Sequence, residues 1–127
     1  METTLFEKTK RMTFTLWEQS FIEQYRQLET AVHQTAIEKG WWDQERNNGE
    51  AIALMHSELS DALEALRKGN PPDAKLPEFS SVEVELADVI IRIMDFSANR
   101  GWRVGEAIVK KHQWNQTAPN ENRDKKI

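Results

Sequence analysis

The sequence predicts an all-α fold, a four-helix bundle-like domain assembled as an oligomer, and three observations support this. Apolar residues recur at intervals of three and four along four segments, the period of a helix. The breaks between these segments carry helix caps and stops, with no hairpin turns, so no internal strand is expected. At 127 residues the chain has room for one hydrophobic core, and an oligomer would help to bury its long apolar faces.

The first helix is predicted from about Thr15 to Lys39, and Gly40 ends it. Its apolar residues are Leu16, Trp17, Phe21, Ile22, Tyr25, Leu28, Val32, Ala36 and Ile37. The second helix opens at Asn48 or Gly49, after a polar connector, and runs to about Lys68. Gly69 and the two prolines that follow Asn70 prevent its continuation.

The third helix is predicted from Ser80, where Ser80-x-x-Glu83 fits a capping box, through about Asn99, and Gly101 closes it. Its apolar residues, which occupy most of its circumference, are Val82, Leu86, Ala87, Val89, Ile90, Ile91, Ile93, Met94 and Phe96. Such a helix is expected to be buried.

The fourth helix spans about Val104 to Asn115. We predict one helical domain over residues 1–116, followed by a polar C-terminal tail over residues 117–127.

Two acidic pairs with the same spacing interrupt the apolar second and third helices. Glu58 and Asp61 lie on the second helix, and Glu85 and Asp88 lie on the third. Residues three apart share one helical face with Cβ atoms about 5–6 Å apart, so each pair presents two carboxylates together. If the helices pack side by side, four negative charges converge, and bound cations would relieve their repulsion.

The alternative is that these acids form an ordinary solvated face, which is the usual reading of charges on a surface helix. A solvated face explains one pair more easily than two copies on adjacent apolar helices. On the third helix the acids continue into a polar stripe with Arg92 and Asp95. Arg92 fits equally well as an intrahelical partner of Asp88 and as a phosphate contact.

The amino-acid composition disfavours several classes of partner and of metal site. The formal charge of −4, from 17 basic and 21 acidic residues, disfavours a nucleic-acid polymer or an anionic membrane as partner. The chain has no cysteine, which excludes disulfides and thiolate metal sites. The stretch from Met1 to Arg11 lacks the apolar core of a signal peptide, and no run approaches the roughly 18 apolar residues of a membrane span. We expect a cytoplasmic protein.

The acidic pairs resemble the signature of the MazG-like, all-α nucleoside triphosphate pyrophosphohydrolases, with ExxE on one helix and ExxD on the next. The resemblance covers roughly residues 37–127 and has further elements. These are Gly40-Trp41-Trp42 with Arg46-Asn47, Gly49-Glu50-Ala51-Ile52-Ala53-Leu54, and Lys110-Lys111-His112-Gln113-Trp114-Asn115-Gln116-Thr117, which look like the small phage and bacterial members.

The resemblance implies hydrolysis of a ribo- or deoxyribonucleoside triphosphate to the monophosphate and pyrophosphate, by water attack on the α-phosphorus. Glu58, Asp61, Glu85 and Asp88 would then be the catalytic ligands of Mg²⁺, and hard carboxylate oxygens are ligands that this ion prefers. A homodimer or homotetramer is implied as well, with the first helix and the spare apolar surface of the third forming the interface.

The resemblance also implies a substrate-binding set. Trp42 and His33 would line the nucleobase pocket, and Lys110, Lys111 and Asn115 would contact phosphates. Each has a plainer alternative: a tryptophan at a helix junction can simply cover the core, and lysines near a helix C-terminus complement its dipole.

Three positions depart from the family pattern. Asp61 stands where the family usually has Glu, which shortens the reach of that carboxylate by one methylene. Ser57 replaces a further acid, and Ala118 stands where relatives often carry Arg before Pro119. Metal spacing, turnover or substrate preference are expected to differ accordingly.

Two rival classes remain. A di-iron carboxylate bundle draws on Glu-x-x-His pairs, and no Glu in this chain has His three positions later. A helical interaction module that keeps the fold without catalysis is the stronger rival, and magnesium-dependent pyrophosphate release would separate it from the enzyme.

Overall fold

The computed structural model describes residues 14–119, and this range is all-helical. Four helices follow one another along the chain: α1 (Leu16–Glu38), α2 (Asn48–Arg67), α3 (Ser81–Arg100) and α4 (Val104–Thr117). Among the described residues the only extended pairing is an isolated bridge between Pro72 and Ser80. The all-α prediction is confirmed, and every helix end that was predicted agrees with the structure to within two residues.

The two chain ends fall largely outside this range. The segment from Met1 to Arg11, considered above for a targeting signal, lies outside the described residues. The predicted polar tail begins at the last residue of α4, Thr117, and its part beyond Pro119 also lies outside them. No described helix is long and apolar enough to cross a membrane.

The chain divides into two compact units. Of the described residues, the first unit comprises 14–27 and 103–119, and the second comprises Leu28–Trp102. Helix α1 contributes residues to both, because it continues past the point of division. The domain boundary proposed at residue 116 stays a prediction.

The core of the first unit joins α1 to α4. Phe14, Ile22 and Val109 form a cluster of buried apolar side chains. The two helices approach closely at Gly105, where an added Cβ would lie 2.7 Å from Cδ1 of Tyr25. A side chain at this position would clash with the ring, so glycine permits the close packing.

The core of the second unit is built where α2 packs against α3. Ala51 and Met55 of α2 are buried against Phe96 of α3, and Trp42 and Ile93 pack against this cluster. The small and flexible side chains of α2 let the two helices approach, which places their polar residues within reach of one another.

The connection between α2 and α3 is tied to the start of α3. The predicted capping box is confirmed, because Glu83 Oε1 accepts hydrogen bonds from the Ser80 backbone N–H at 3.2 Å and from its hydroxyl at 2.7 Å. Asn70 Oδ1 accepts a bond from the Val82 N–H at 2.8 Å, and Ser81 Oγ donates to the carbonyl oxygen of Pro71 at 2.7 Å. These bonds help to set the register in which α3 lies against α2.

Helix α3 is less buried than its composition predicts. Leu86, Ile90 and Ile91 expose 46%, 52% and 45% of their surface in the single chain. The expectation of a helix buried nearly all round is therefore wrong for one copy. The physical reason is that α2 covers one side of α3, and a chain of this size supplies too few other elements to cover the rest.

Candidate metal centre

Three of the four predicted acidic ligands come together between α2 and α3. Glu58, Asp61 and Glu85 each offer one carboxylate oxygen, and these oxygens lie within 4.8 Å of one another. Glu58 and Glu85 are half-buried, whereas Asp61 is exposed. The helical spacing of three aligns the first two acids, and the packing of α3 on α2 brings the third beside them.

The negative charges in this group act on one another. Burial raises the pKa of the Glu85 carboxyl, and the charges around it, that of Asp61 first, raise it further. Asp88 lies on the same side of α3 but does not belong to the group of three. Burial and the charge of Glu58 raise the pKa of the Asp88 carboxyl. Its role as a fourth ligand stays a prediction.

Arg92 contacts this group from the next turn of α3. Its Nε donates a hydrogen bond to Glu58 Oε1 at 2.7 Å, with the two side chains 25% and 16% exposed. Its guanidinium also lies over the ring of Trp41, 4.8 Å from the centroid. The intrahelical pairing considered for Arg92 and Asp88 is therefore replaced by an ion pair between helices, while Arg92 still lowers the pKa of Asp88 through its charge.

A second polar constellation surrounds Asp95, whose carboxylate is buried on α3. Nε1 of Trp42 donates to its Oδ1 and Oδ2, at 2.9 and 3.1 Å, and Nδ1 of His33 lies 2.7 Å from Oδ1. The two rings also meet edge to face, with centroids 5.6 Å apart. The structure thus brings together the two predicted nucleobase residues, and it adds the acid that holds them.

Sequence reasoning placed Asp95 in the polar stripe of α3 without identifying its partners. The indole N–H of Trp42 was the one hint in the sequence, because a tryptophan that packs on the core needs a hydrogen-bond acceptor for this group. Which acid supplies that acceptor depends on contacts 53 residues apart along the chain.

Two cavities adjoin these residues in the second unit. One, of about 30 Å³, lies among Trp41, Trp42, Arg46, Ala51, Leu54, Met55, Arg92, Asp95 and Phe96. The other, of about 120 Å³ and mostly apolar, lies among Val32, Thr35, Ala36, Lys39, Trp41, Ile91, Arg92 and Asp95. Trp41, Arg92 and Asp95 border both cavities and form a shared wall. Each cavity is smaller than the several hundred Å³ usual for a small-molecule pocket.

The predicted phosphate contacts lie in the first unit, on α4. Nζ of Lys110 is 5.8 Å from the centroid of the Phe14 ring, and Nζ of Lys111 is 4.2 Å from that of Trp114. Lys110, Lys111 and Asn115 are all exposed. Their contact with phosphates stays a prediction.

Comparison with known proteins gives no relative for this chain: no family model, no curated protein and no solved structure matches it.

Proposed function

We propose that this chain is a Mg²⁺-dependent nucleoside triphosphate pyrophosphohydrolase of the MazG-like type, acting in the cytoplasm. The main support for this proposal is that Glu58, Asp61 and Glu85 each bring a carboxylate oxygen within 4.8 Å of the other two. Three carboxylates at this distance repel one another unless a proton or a cation lies between them. Oxygen ligands of this kind suit Mg²⁺.

The residues fit such an ion in number and chemistry. Glu58 and Glu85 are half-buried, so solvent screens their charges less than it would on an open surface, and Asp61 leaves one side accessible to a ligand. Bound Mg²⁺ would supply electrostatic stabilisation of the phosphates and lower the pKa of a water molecule. Asp88, close enough to Glu58 for their charges to interact, is the candidate for the fourth ligand or for accepting a proton.

The neighbouring aromatic residues support a nucleotide as the substrate. Trp41 and Trp42 both line the smaller cavity, which Arg92, the ion-pair partner of Glu58, lines as well, and an indole face can stack on a base. Asp95 fixes the Trp42 ring and the His33 ring through hydrogen bonds. Both side chains are therefore already ordered before a base binds, and less side-chain entropy is lost on binding. We propose that these side chains contact the base, and that Lys110, Lys111 and Asn115 contact phosphates.

We include a homodimer or homotetramer in the proposal. Helix α2 exposes Leu59, Leu63 and Leu66, and α3 exposes Leu86 and Ile90, each by at least 46%. An apolar surface of this kind on a folded chain is typical of an interface. Light scattering after size-exclusion chromatography measures the mass directly, and a monomer at all concentrations would contradict this part of the proposal.

One observation favours the non-catalytic rival, a helical interaction module. Arg92 already neutralises part of the charge of Glu58, which a purely structural ion pair would also do. The two functions differ in one measurable property, because only the enzyme releases pyrophosphate.

The test is a panel of ribo- and deoxyribonucleoside triphosphates incubated with the purified protein and Mg²⁺. We expect nucleoside monophosphate and pyrophosphate as the first products, with no orthophosphate, and no release when EDTA removes the metal. Orthophosphate as the first product, or no turnover of any nucleotide, would contradict the proposal.

A further inference from the structure

Arg92 is a cation at the candidate metal site whose hydrogen-bond donors are only partly used by the described residues. Its Nε donates to Glu58 Oε1 at 2.7 Å, but no described residue accepts a hydrogen bond from its two terminal nitrogens. A guanidinium has five N–H donors in a planar fork that matches phosphate and carboxylate geometry. The four donors on the terminal nitrogens of Arg92 are therefore available to an anion.

Its surroundings hold the guanidinium in place. The group lies 4.8 Å from the centroid of the Trp41 ring, and the side chain is only 25% exposed. A cation–π contact of this kind restricts the guanidinium in the free protein and so lowers the entropy lost when it binds a ligand. Arg92 also borders both cavities, which places it between the acidic group and the aromatic residues.

Two cations consequently compete for Glu58: the guanidinium of Arg92 and a bound metal ion. In the free protein its Oε1 is paired with Arg92, and the same carboxylate is one of the three that can hold a metal ion. A divalent cation that binds Glu58 strongly must weaken or replace this ion pair. Arg92 would then be left half-buried without a hydrogen-bonded anion, although the charge of Asp88 still acts on it, and this is unfavourable until another anion reaches it.

We infer that Arg92 is a mobile counter-cation: it pairs with Glu58 in the free protein and transfers to the polyphosphate of the substrate when a divalent cation takes its place. This inference rests on the proposed function, because the same acids bind the metal. Any anion that shares a metal with Glu58 comes within reach of the guanidinium, since Arg92 already lies at hydrogen-bond distance from that ligand.

The transfer makes metal and substrate binding synergistic. Metal binding alone weakens or replaces the Arg92–Glu58 pair without compensation, whereas metal binding with a polyphosphate gives Arg92 a new partner. Movement of Arg92 also displaces part of the wall between the two cavities, of about 30 and 120 Å³, and so can enlarge the space beside Trp41.

The experiment measures two affinities in the full-length protein: that for Mn²⁺ alone, followed by electron paramagnetic resonance of the free ion, and that for inorganic tripolyphosphate at saturating Mn²⁺. Arg92→Met should bind Mn²⁺ alone about tenfold more tightly, because the competing cation is gone, and tripolyphosphate about tenfold more weakly. Tripolyphosphate has no base, so the result does not depend on the preferred nucleotide.

Lys75→Met is the matched control. Lys75 is exposed, and its charge acts on Asp88, but it makes no side-chain hydrogen bond to an acid of the group. The same charge is removed near the same carboxylates, so both affinities should change by less than about twofold if only the long-range field is altered. Arg92→Lys keeps the charge without the planar fork, and we expect it to restore the wild-type Mn²⁺ affinity but not the tripolyphosphate affinity.

Opposite shifts in Arg92→Met, absent in Lys75→Met, support the inference. A loss of both affinities in a variant that still folds, as judged by circular dichroism, would show a structural role and overturn it. Unchanged Mn²⁺ affinity would overturn it as well. Opposite shifts in a protein that hydrolyses no nucleotide would instead reject the hydrolase and leave the role of Arg92 standing.

Discussion

Two acidic side chains, Glu18 in the first unit of the chain and Glu85 in the second, lie in opposite electrostatic surroundings. In the first unit Glu18 is only 5% exposed, and its carboxylate accepts bonds from the Thr15 N–H at 2.7 Å and from Gln113 Nε2 at 2.9 Å. These donors, that of Thr15 first, hold the pKa of Glu18 below its ordinary value. In the second unit burial and neighbouring acids hold the pKa of Glu85 above it.

The contrast shows that burial alone does not identify a cation site. Glu18 is the more deeply buried of the two acids, yet hydrogen-bond donors of the protein already stabilise its charge. A bound cation would therefore add little stabilisation there. Glu85 faces other carboxylates with no described donor on it, so a bound cation would stabilise it most. Even Glu83, two residues earlier on α3, behaves like Glu18, because bonds from Ser80 lower its pKa.

The largest expected effect comes from removing one charge of the acidic group. Glu85→Gln should lower magnesium-dependent pyrophosphate release by about 10²–10³-fold, the loss seen when one preorganised electrostatic group is removed from an active site. Circular dichroism should show an intact fold. Glu64→Gln is the control, because Glu64 is exposed on α2 and, within residues 14–119, its carboxylate pairs only with Lys68, at 3.9 Å. Full turnover by Glu85→Gln would refute its role.

The second effect is on the thermal stabilisation that a bound metal ion provides. Mg²⁺ at ten times its dissociation constant should stabilise the wild-type protein by about 1.4 kcal/mol, since it binds only the folded state. Thermal unfolding with and without the ion measures this. Glu58→Gln should remove the stabilisation and Glu18→Gln should retain it, because only the former is in the acidic group. An equal loss in both variants would remove the distinction between the two regions.

The same substitution should destabilise the protein in the first unit but not in the second. Glu18→Gln weakens the acceptor for Thr15 and Gln113, and we expect the melting temperature to fall by ~4 °C. Glu85→Gln removes repulsion, so the melting temperature without metal should stay the same or rise slightly. A marked fall for Glu85→Gln would mean that an unrecognised donor stabilises its carboxylate.

The smallest effect concerns pH. A lowered pKa means that Glu18 contributes stability above its ordinary value of 4.5, and this contribution is lost as the pH falls through the folded-state pKa. A raised pKa means the reverse for Glu85: the folded state binds more protons, so stability declines as the pH rises above 4.5 and through the folded-state pKa.

Melting temperatures of both glutamine variants against wild type, from acidic to neutral pH, check the sign. The deficit of Glu18→Gln should be largest at neutral pH and shrink in acid. Any gain of Glu85→Gln should also be largest at neutral pH and vanish in acid, where wild-type Glu85 is protonated. If the melting temperatures of wild type and Glu85→Gln change in parallel with pH, the negative charge of Glu85 is not destabilised in the folded protein.

Some of the candidate site could be read from the sequence, and some could not. The spacing of Glu58 and Asp61 was sufficient to pair them, because a helix fixes which residues share a face. That Glu85 joins them while Asp88 lies apart from the group depends on the rotation of α3 against α2. Arg92 shows the same limit, since its partner proved to be 34 residues away and not the acid four residues before it.

The all-α class, the four helices and the capping box of α3 could be predicted from local patterns in the chain. These follow from hydrogen bonds and apolar periodicity within a few residues, which Ser80 and Glu83 illustrate. It is the packing of the helices that leaves Leu86, Ile90 and Ile91 exposed on α3 and that brings Asp95 to Trp42 and His33. Such contacts join distant parts of the chain, and their geometry depends on how helices pack, which no local pattern specifies.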